Sequence, residues 1–209
     1  AASVIEQASA VVDAAAARIA ASGSIDDHQV LAYELAHAAA AVATAKGLLD
    51  YGAKGDIEGR ITVAFVADAV KDLAARIYGR EADWGVEPGA LDGARDFIGA
   101  YTAPDFLAAI DEAGPRHLDG DFEMVQDTFR RFAEQKLKPI AEHIHRTNGD
   151  IPEEIIEGLA EMGAFGLSIP AEYGGYGEGG EGEYIGMVVA TEELSRGSLG
   201  AGGSLITRP

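Results

Sequence analysis

The chain has 209 residues, enough for one large or two small domains, and 47% of them are hydrophobic, so a packed core is available. Thirty-five acidic against sixteen basic residues leave a formal charge of −19. That balance argues against nucleic acid and against anionic membrane surfaces as partners, since both require a basic face, and the absence of cysteine excludes disulfides, thiolate catalysis and zinc–thiolate sites.

The first stretch, AASVIEQASAVVDAAAARIAASG, carries Glu6, Asp13 and Arg18 and lacks the basic start and apolar run of a secretion signal. No stretch reaches membrane-spanning length, so a soluble, cytoplasmic protein is expected. Val4, Ile5, Ala8, Val11, Val12, Ala15 and Ile19 recur at helical spacing up to a stop at Gly23. A second helix is expected to be capped by Asp26 or Asp27. On it, Leu31, Leu35, Ala38, Val42, Ala45 and Leu49 advance by fours and threes, an apolar stripe suited to helix packing, with Gly52 as its end. Asp56 is the expected cap of a third helix, which carries Val66, Val70, Leu73 and Ile77 on one face. So short a connection makes the second and third helices antiparallel neighbours. Periodicity weakens from Arg80 to Gly120, where Thr102 with Pro104 marks one helix start. A domain boundary is expected near Gly114–Gly120, dividing a helical extension (1–114) from a second helical domain (115–209).

The second block is expected to begin at Asp121, with Phe122, Val125, Phe129 and Phe132 as its stripe. Pro139 implies a kink or restart. Asp150 and Pro152 open a further helix whose first turn holds Glu153 and Glu154, where the helix dipole favours anions. A glycine-rich run follows, IPAEYGGYGEGGEGEYIG. In it Gly174 and Gly175 are expected at positive φ, reversing the chain, and Glu178–Glu183 is expected to be a loose surface loop. Tyr184, Val188, Thr191 and the Glu-Glu-Leu segment read as another helix, ended or bent by Gly200, Gly202 and Gly203. With no run of strands, the fold class is all-α.

Gly163, Gly166, Pro170, Glu172, Tyr173, Gly174, Gly175, Gly177, Glu192, Glu193, Leu194 and Arg196 form an ordered series. Upstream, Phe132, Pro139 and Ala141 stand in FRRFAEQKLKPIAEH. Together they resemble the N-terminal helical domain of the acyl-CoA dehydrogenase superfamily. The helices of residues 28–79 faintly resemble the C-terminal bundle of that family. A helical extension ahead of the domain, with GSLGAGGSLITRP after it, resembles the branch that acts on methylsuccinyl-CoA. The resemblance implies an FAD-dependent α,β-dehydrogenation of an acyl-CoA thioester, an electron-transferring flavoprotein as redox partner, and a homo-oligomer. The β-domain and the four-helix bundle of the family, which hold most flavin contacts and the glutamate base, are absent from this segment, which is expected to be a fragment or one part of a split protein.

No residue here has a clear claim to be the catalytic base, so none is expected in this chain. Glu172, Glu192 and Glu193 read as caps and surface ion pairs. His143 and His145 point to different faces of a helix, and no metal site is expected. GSLGAGGS lacks the Lys-Ser/Thr ending of a phosphate-binding loop. The resemblance puts the segment after Arg196 beside the acyl cavity, so Ser204, Ile206, Thr207 and Arg208 are the expected substrate-binding residues, with Arg208 set either to meet a distal carboxylate or to pair with an acidic residue for structure. Two alternatives are a dehydrogenase for another short branched-chain acyl-CoA and a non-catalytic helical interaction module.

Overall fold

The computed structural model describes residues 1–110, 114–177 and 179–203. The elements are helical and no strand occurs among the described residues. The chain divides into two compact units, Ala1–Pro115 and Arg116–Pro209.

In the first unit α1 (Ala2–Ser22), α2 (Gln29–Gly52) and α3 (Asp56–Ile77) pack as a three-helix bundle, followed by the short α4 (Arg95–Tyr101) and α5 (Pro104–Ala108). The stripes read from the sequence form its core. Val4, Ile5, Ala8, Val11 and Ala15 meet Leu31, Ala38, Val42 and Ala45, and these meet Val66, Val70, Leu73 and Ile77. Leu35 and Leu49 complete the second stripe while half-buried. The aperiodic stretch after α3 contributes more than its pattern suggested, because Trp84 is fully buried and Leu91 and Ala94 join the same core. Arg80 anchors this stretch to α2, its Nη1 donating to both oxygens of Glu34 at 3.0 and 2.9 Å.

Several ends differ from the sequence reading. Ser24 caps the short 3-10 turn Ile25–His28 that leads into α2, its hydroxyl accepting the Asp26 amide (3.2 Å); Asp26 and Asp27 lie inside that turn, and His28 stands at the start of α2 without a side-chain cap. Asp56 is the first residue of α3 rather than its cap, a place given to Gly55. Gly52 does end α2, as the sequence reading had it, and it also serves a crossing: a Cβ there would stand 2.7 Å from Thr62 Oγ1, while that hydroxyl donates to the Leu48 carbonyl (3.0 Å). Thr102 closes α4 by donating to the Ile98 carbonyl (2.8 Å), and Ala103 precedes Pro104 at the start of α5.

In the second unit α6 (Gly120–Phe132) is capped by Asp119, whose Oδ1 accepts the amides of Asp121 and Phe122, both at 3.1 Å. A π-helical turn, Ala133–Leu137, leads into α7 (Lys138–Thr147), with Pro139 in its first turn. The expected restart at Pro139 is thus taken up in a widened turn that keeps the chain helical. After α8 (Glu153–Glu161) and two 3-10 turns comes α9 (Glu181–Gly197), then a second π turn, Leu199–Gly203. Phe129, Ala133, Leu137, Ile155, Leu159, Ala190 and Leu194 form the core. Gly202 lets the second π turn reach it, since a Cβ would lie 2.6 Å from Leu137 Cδ1 and 3.1 Å from the Leu194 carbonyl.

Trp84 is the single tryptophan of the chain, so its emission reports the first core. Leu73→Ala, at a position only 2% exposed, is expected to destabilise that core by about 2–5 kcal/mol. Urea unfolding followed by tryptophan fluorescence checks this, and a shift under about 1 kcal/mol would mean that the site collapses around the deletion.

Candidate functional site

The site is built on α9 and the glycine-rich segment that delivers it. Beyond the end of α8, Gly163 sits in the left-handed region at φ +73° and leads into the 3-10 turn Ala164–Gly166. The ring of Tyr176 lies against that glycine and against Gly166, where added Cβ atoms would fall 2.6 and 3.2 Å from ring carbons. Main-chain bonds lock the reversal: the Tyr176 amide donates to the Gly166 carbonyl and the Gly177 amide to the Ile169 carbonyl, both at 2.8 Å. Gly174 sits at φ +83°. Gly175, expected at positive φ as well, is required for a different reason: a Cβ there would run into the backbone and side chain of Ile169.

The expectation of a loose loop over Glu178–Glu183 is corrected from Glu181 onward, Glu178 lying outside the described residues. Glu181 opens α9, and Glu183 reaches back to accept the Gly179 amide (3.0 Å). Gly180, which precedes the helix, has φ +106° and is as intolerant of a side chain as Gly174. Within α9, by contrast, Gly186 has only Phe122 near a would-be Cβ, at 3.8 Å. Gly175→Val is therefore expected to cost more than about 1 kcal/mol, and Gly186→Ala to stabilise by roughly 0.5–1 kcal/mol through the lower backbone entropy of alanine. Thermal melts of both variants check this, and matched losses would overturn it.

The centre of the site is Glu193. The sequence reading set it with surface ion pairs, but its side chain is fully buried. Arg130 of α6 grips it with both arms of its guanidinium, Nη2 to Oε1 at 2.7 Å and Nε to Oε2 at 3.3 Å. Arg196 Nε donates to Oε2 at 2.9 Å and Arg116 Nη1 to Oε1 at 3.5 Å. The cluster extends outward: Arg116 pairs with the half-exposed Glu192 (2.9 Å), and Arg196 with Glu134 of the first π turn (2.6 Å), which Lys138 also approaches (3.1 Å). A sequence signal for this burial exists. Glu193 follows Val189 by four and Ala190 by three, which puts it on the apolar face of the helix.

Burial alone pushes the Glu193 carboxyl up, but hydrogen bonds from Arg130 and then Arg196 outweigh it and hold the group below the usual carboxylate range. Glu134 is likewise held down, first by Arg196 and then by Lys138. A carboxylate so stabilised and shut off from solvent is a poor proton acceptor, so Glu193 is unsuited to the role of base. Glu172 lies exposed on the 3-10 turn Ala171–Tyr173. The opposite face of α9 is open: Tyr184 and Val188 are 68% and 65% exposed, and with Met187, Thr191, Glu192 and Ser195 they line a shallow groove. Ser204, Ile206, Thr207 and Arg208 lie outside the described residues.

Residues 119–208 match the acyl-CoA dehydrogenase N-terminal domain. Over 95 residues the chain is 50% identical to (2S)-methylsuccinyl-CoA dehydrogenase of Cereibacter sphaeroides, a match covering 46% of this chain and 16% of that protein. It is 37% identical over 87 residues to a 3-(aryl)acrylate reductase of Clostridium sporogenes, covering 42% and 22% of the two chains. A glutaryl-CoA dehydrogenase of Desulfococcus multivorans is 35% identical over 82 residues, or 39% and 21%. The matched segment thus spans 16–22% of the length of these relatives. No helix among the described residues is long and apolar enough to cross a membrane.

The folded-state pKa of Glu193 lies below its ordinary 4.5, so its stabilisation is complete at neutral pH and is lost as pH falls past about 4.5 and through the folded value. At neutral pH Glu193→Ala is expected to destabilise the second unit by about 2–4 kcal/mol. The gap to wild type is expected to narrow as pH drops towards about 3. Guanidinium unfolding followed by circular dichroism at both pH values checks this, and an unchanged gap would show that the charge is not what matters.

Proposed function

We propose that the protein carrying these two units is an oxidoreductase that converts (2S)-methylsuccinyl-CoA to mesaconyl-CoA, in the ethylmalonyl-CoA pathway. The observation that carries this reading is the 50% identity to (2S)-methylsuccinyl-CoA dehydrogenase over 95 residues, against 37% and 35% for relatives named for other reactions. In this reading residues 1–114 are a helical extension and residues 115–209 the N-terminal dehydrogenase domain. The family resemblance adds FAD, an electron-transferring flavoprotein as partner, a homo-oligomer and a cytoplasmic location.

The described residues do not themselves make a flavin site. The groove on α9 offers apolar groups, the hydroxyls of Tyr184, Thr191 and Ser195, and Glu192, and no cation lines it to meet a pyrophosphate. No step is therefore assigned to flavin in this segment. Its role in the proposed reaction is to present a wall to the acyl group. Arg208, helped by Ser204, Ile206 and Thr207, is proposed to hold the distal carboxylate of the substrate, for which a guanidinium supplies a matched fork.

Two measurements test the proposal. The full-length protein is expected to purify yellow and to oxidise methylsuccinyl-CoA with an artificial electron acceptor; a colourless, inactive preparation would favour a helical interaction module. Arg208→Met in that protein is expected to lower kcat/KM on methylsuccinyl-CoA by an amount worth about 2–5 kcal/mol while sparing butyryl-CoA. Equal losses on both would remove Arg208 from carboxylate recognition.

A further inference from the structure

The two faces of α9 have different duties, and something must hold the helix at one rotation. The seam towards α6 carries small groups at both ends: Gly182 and Gly186 lie opposite Phe122, and Gly197 lies against Ala133, where a Cβ would stand 2.9 Å from the alanine methyl, while Phe129, Ala190 and Leu194 share the core between them. Small groups let backbones approach closely but give little resistance to rotation or sliding at those ends, because few side chains interdigitate there. The ion cluster has direction. Arg130 forks onto both oxygens of Glu193 from α6, and Arg196 joins the same carboxylate to Glu134 in the π turn. Two helices and a turn are tied through one buried group.

We infer that Glu193 is a positioning residue: through Arg130 and Arg196 it fixes the rotation of α9 on α6, and so the direction in which Tyr184, Val188, Thr191 and Ser195 face. Successive helical residues are turned by about 100°, so a modest rotation would carry this stripe away from whatever it meets. The functional consequence rests on the acyl-CoA reading above, in which the stripe is the side of α9 open to the acyl group. Glu193 touches neither substrate nor reacting atoms in this role; it acts through the helix it orients.

The absence of native cysteines makes the geometry directly measurable. Spin labels at Met124→Cys on α6 and Val188→Cys on α9, both exposed in the native chain, are expected to give one narrow distance. In the same background Glu193→Gln, which keeps shape and removes charge, is expected to broaden or shift that distance by a few ångström. Arg196→Gln, which leaves the Arg130 fork in place, is expected to produce a smaller change and serves if Glu193→Gln does not fold. In the full-length protein, assayed well below its Tm, Glu193→Gln is expected to raise KM for the acyl-CoA about tenfold or more, with a smaller change in kcat. An unchanged distance distribution with unchanged KM, alongside a lowered Tm, would overturn the inference and leave the cluster purely stabilising. Wild-type protein without acyl-CoA oxidation would instead defeat the functional reading, and the distance measurement would still decide the positioning role.

Discussion

A carboxylate closed off from water stays charged only if cations replace the water it has lost, and the second unit is arranged around one such group. Glu193 gathers Arg116 from the entry to the unit, Arg130 from α6 and Arg196 from its own helix. Net stability is a weak reason for this arrangement, because well-packed apolar residues can replace a buried ion pair without loss. What an apolar contact lacks is direction. A guanidinium fork accepts a carboxylate in few orientations, so the cluster adds direction to the apolar packing of α9 on α6.

The same need for close approach explains the glycines between α8 and α9. They are not equivalent, and few of them serve looseness. Gly163, Gly174 and Gly180 hold backbone conformations at positive φ that side chains resist. Gly166 and Gly175 have no room for a Cβ, the first beneath Tyr176 and the second against Ile169. The chain can then reverse within a few residues and enter α9 in the one orientation the arginines accept. Glycine disfavours order locally, by roughly 0.5–1 kcal/mol per residue against alanine, and the fold offsets that with contacts that only glycine permits.

How much of this the sequence disclosed depends on whether a feature has a period. The stripe from Leu31 to Leu49 and the stripe from Val66 to Ile77 step by threes and fours, and both became core. Trp84 and Leu91 have no such rhythm around them, and the irregular stretch that bears them gave no sign of burial. Composition misled at Glu181–Glu183, where glycines and glutamates hid the first turn of α9. Glu193 fell between these cases. Its spacing from Val189 and Ala190 was visible, but adjacent glutamates on a helix otherwise read as solvated, and the cations that neutralise the buried one come largely from distant parts of the sequence. The residues expected to bind substrate, Ser204 to Arg208, rested on resemblance rather than on pattern.

The chemistry available to the described residues narrows what this segment contributes. Its most protected carboxylate is committed to arginines, Glu192 faces Arg116, and the open face of α9 carries apolar groups and hydroxyls. Such a surface can shape and orient a bound group but has little with which to move a proton or an electron pair. The fixed orientation of that surface traces back to the arginines around Glu193.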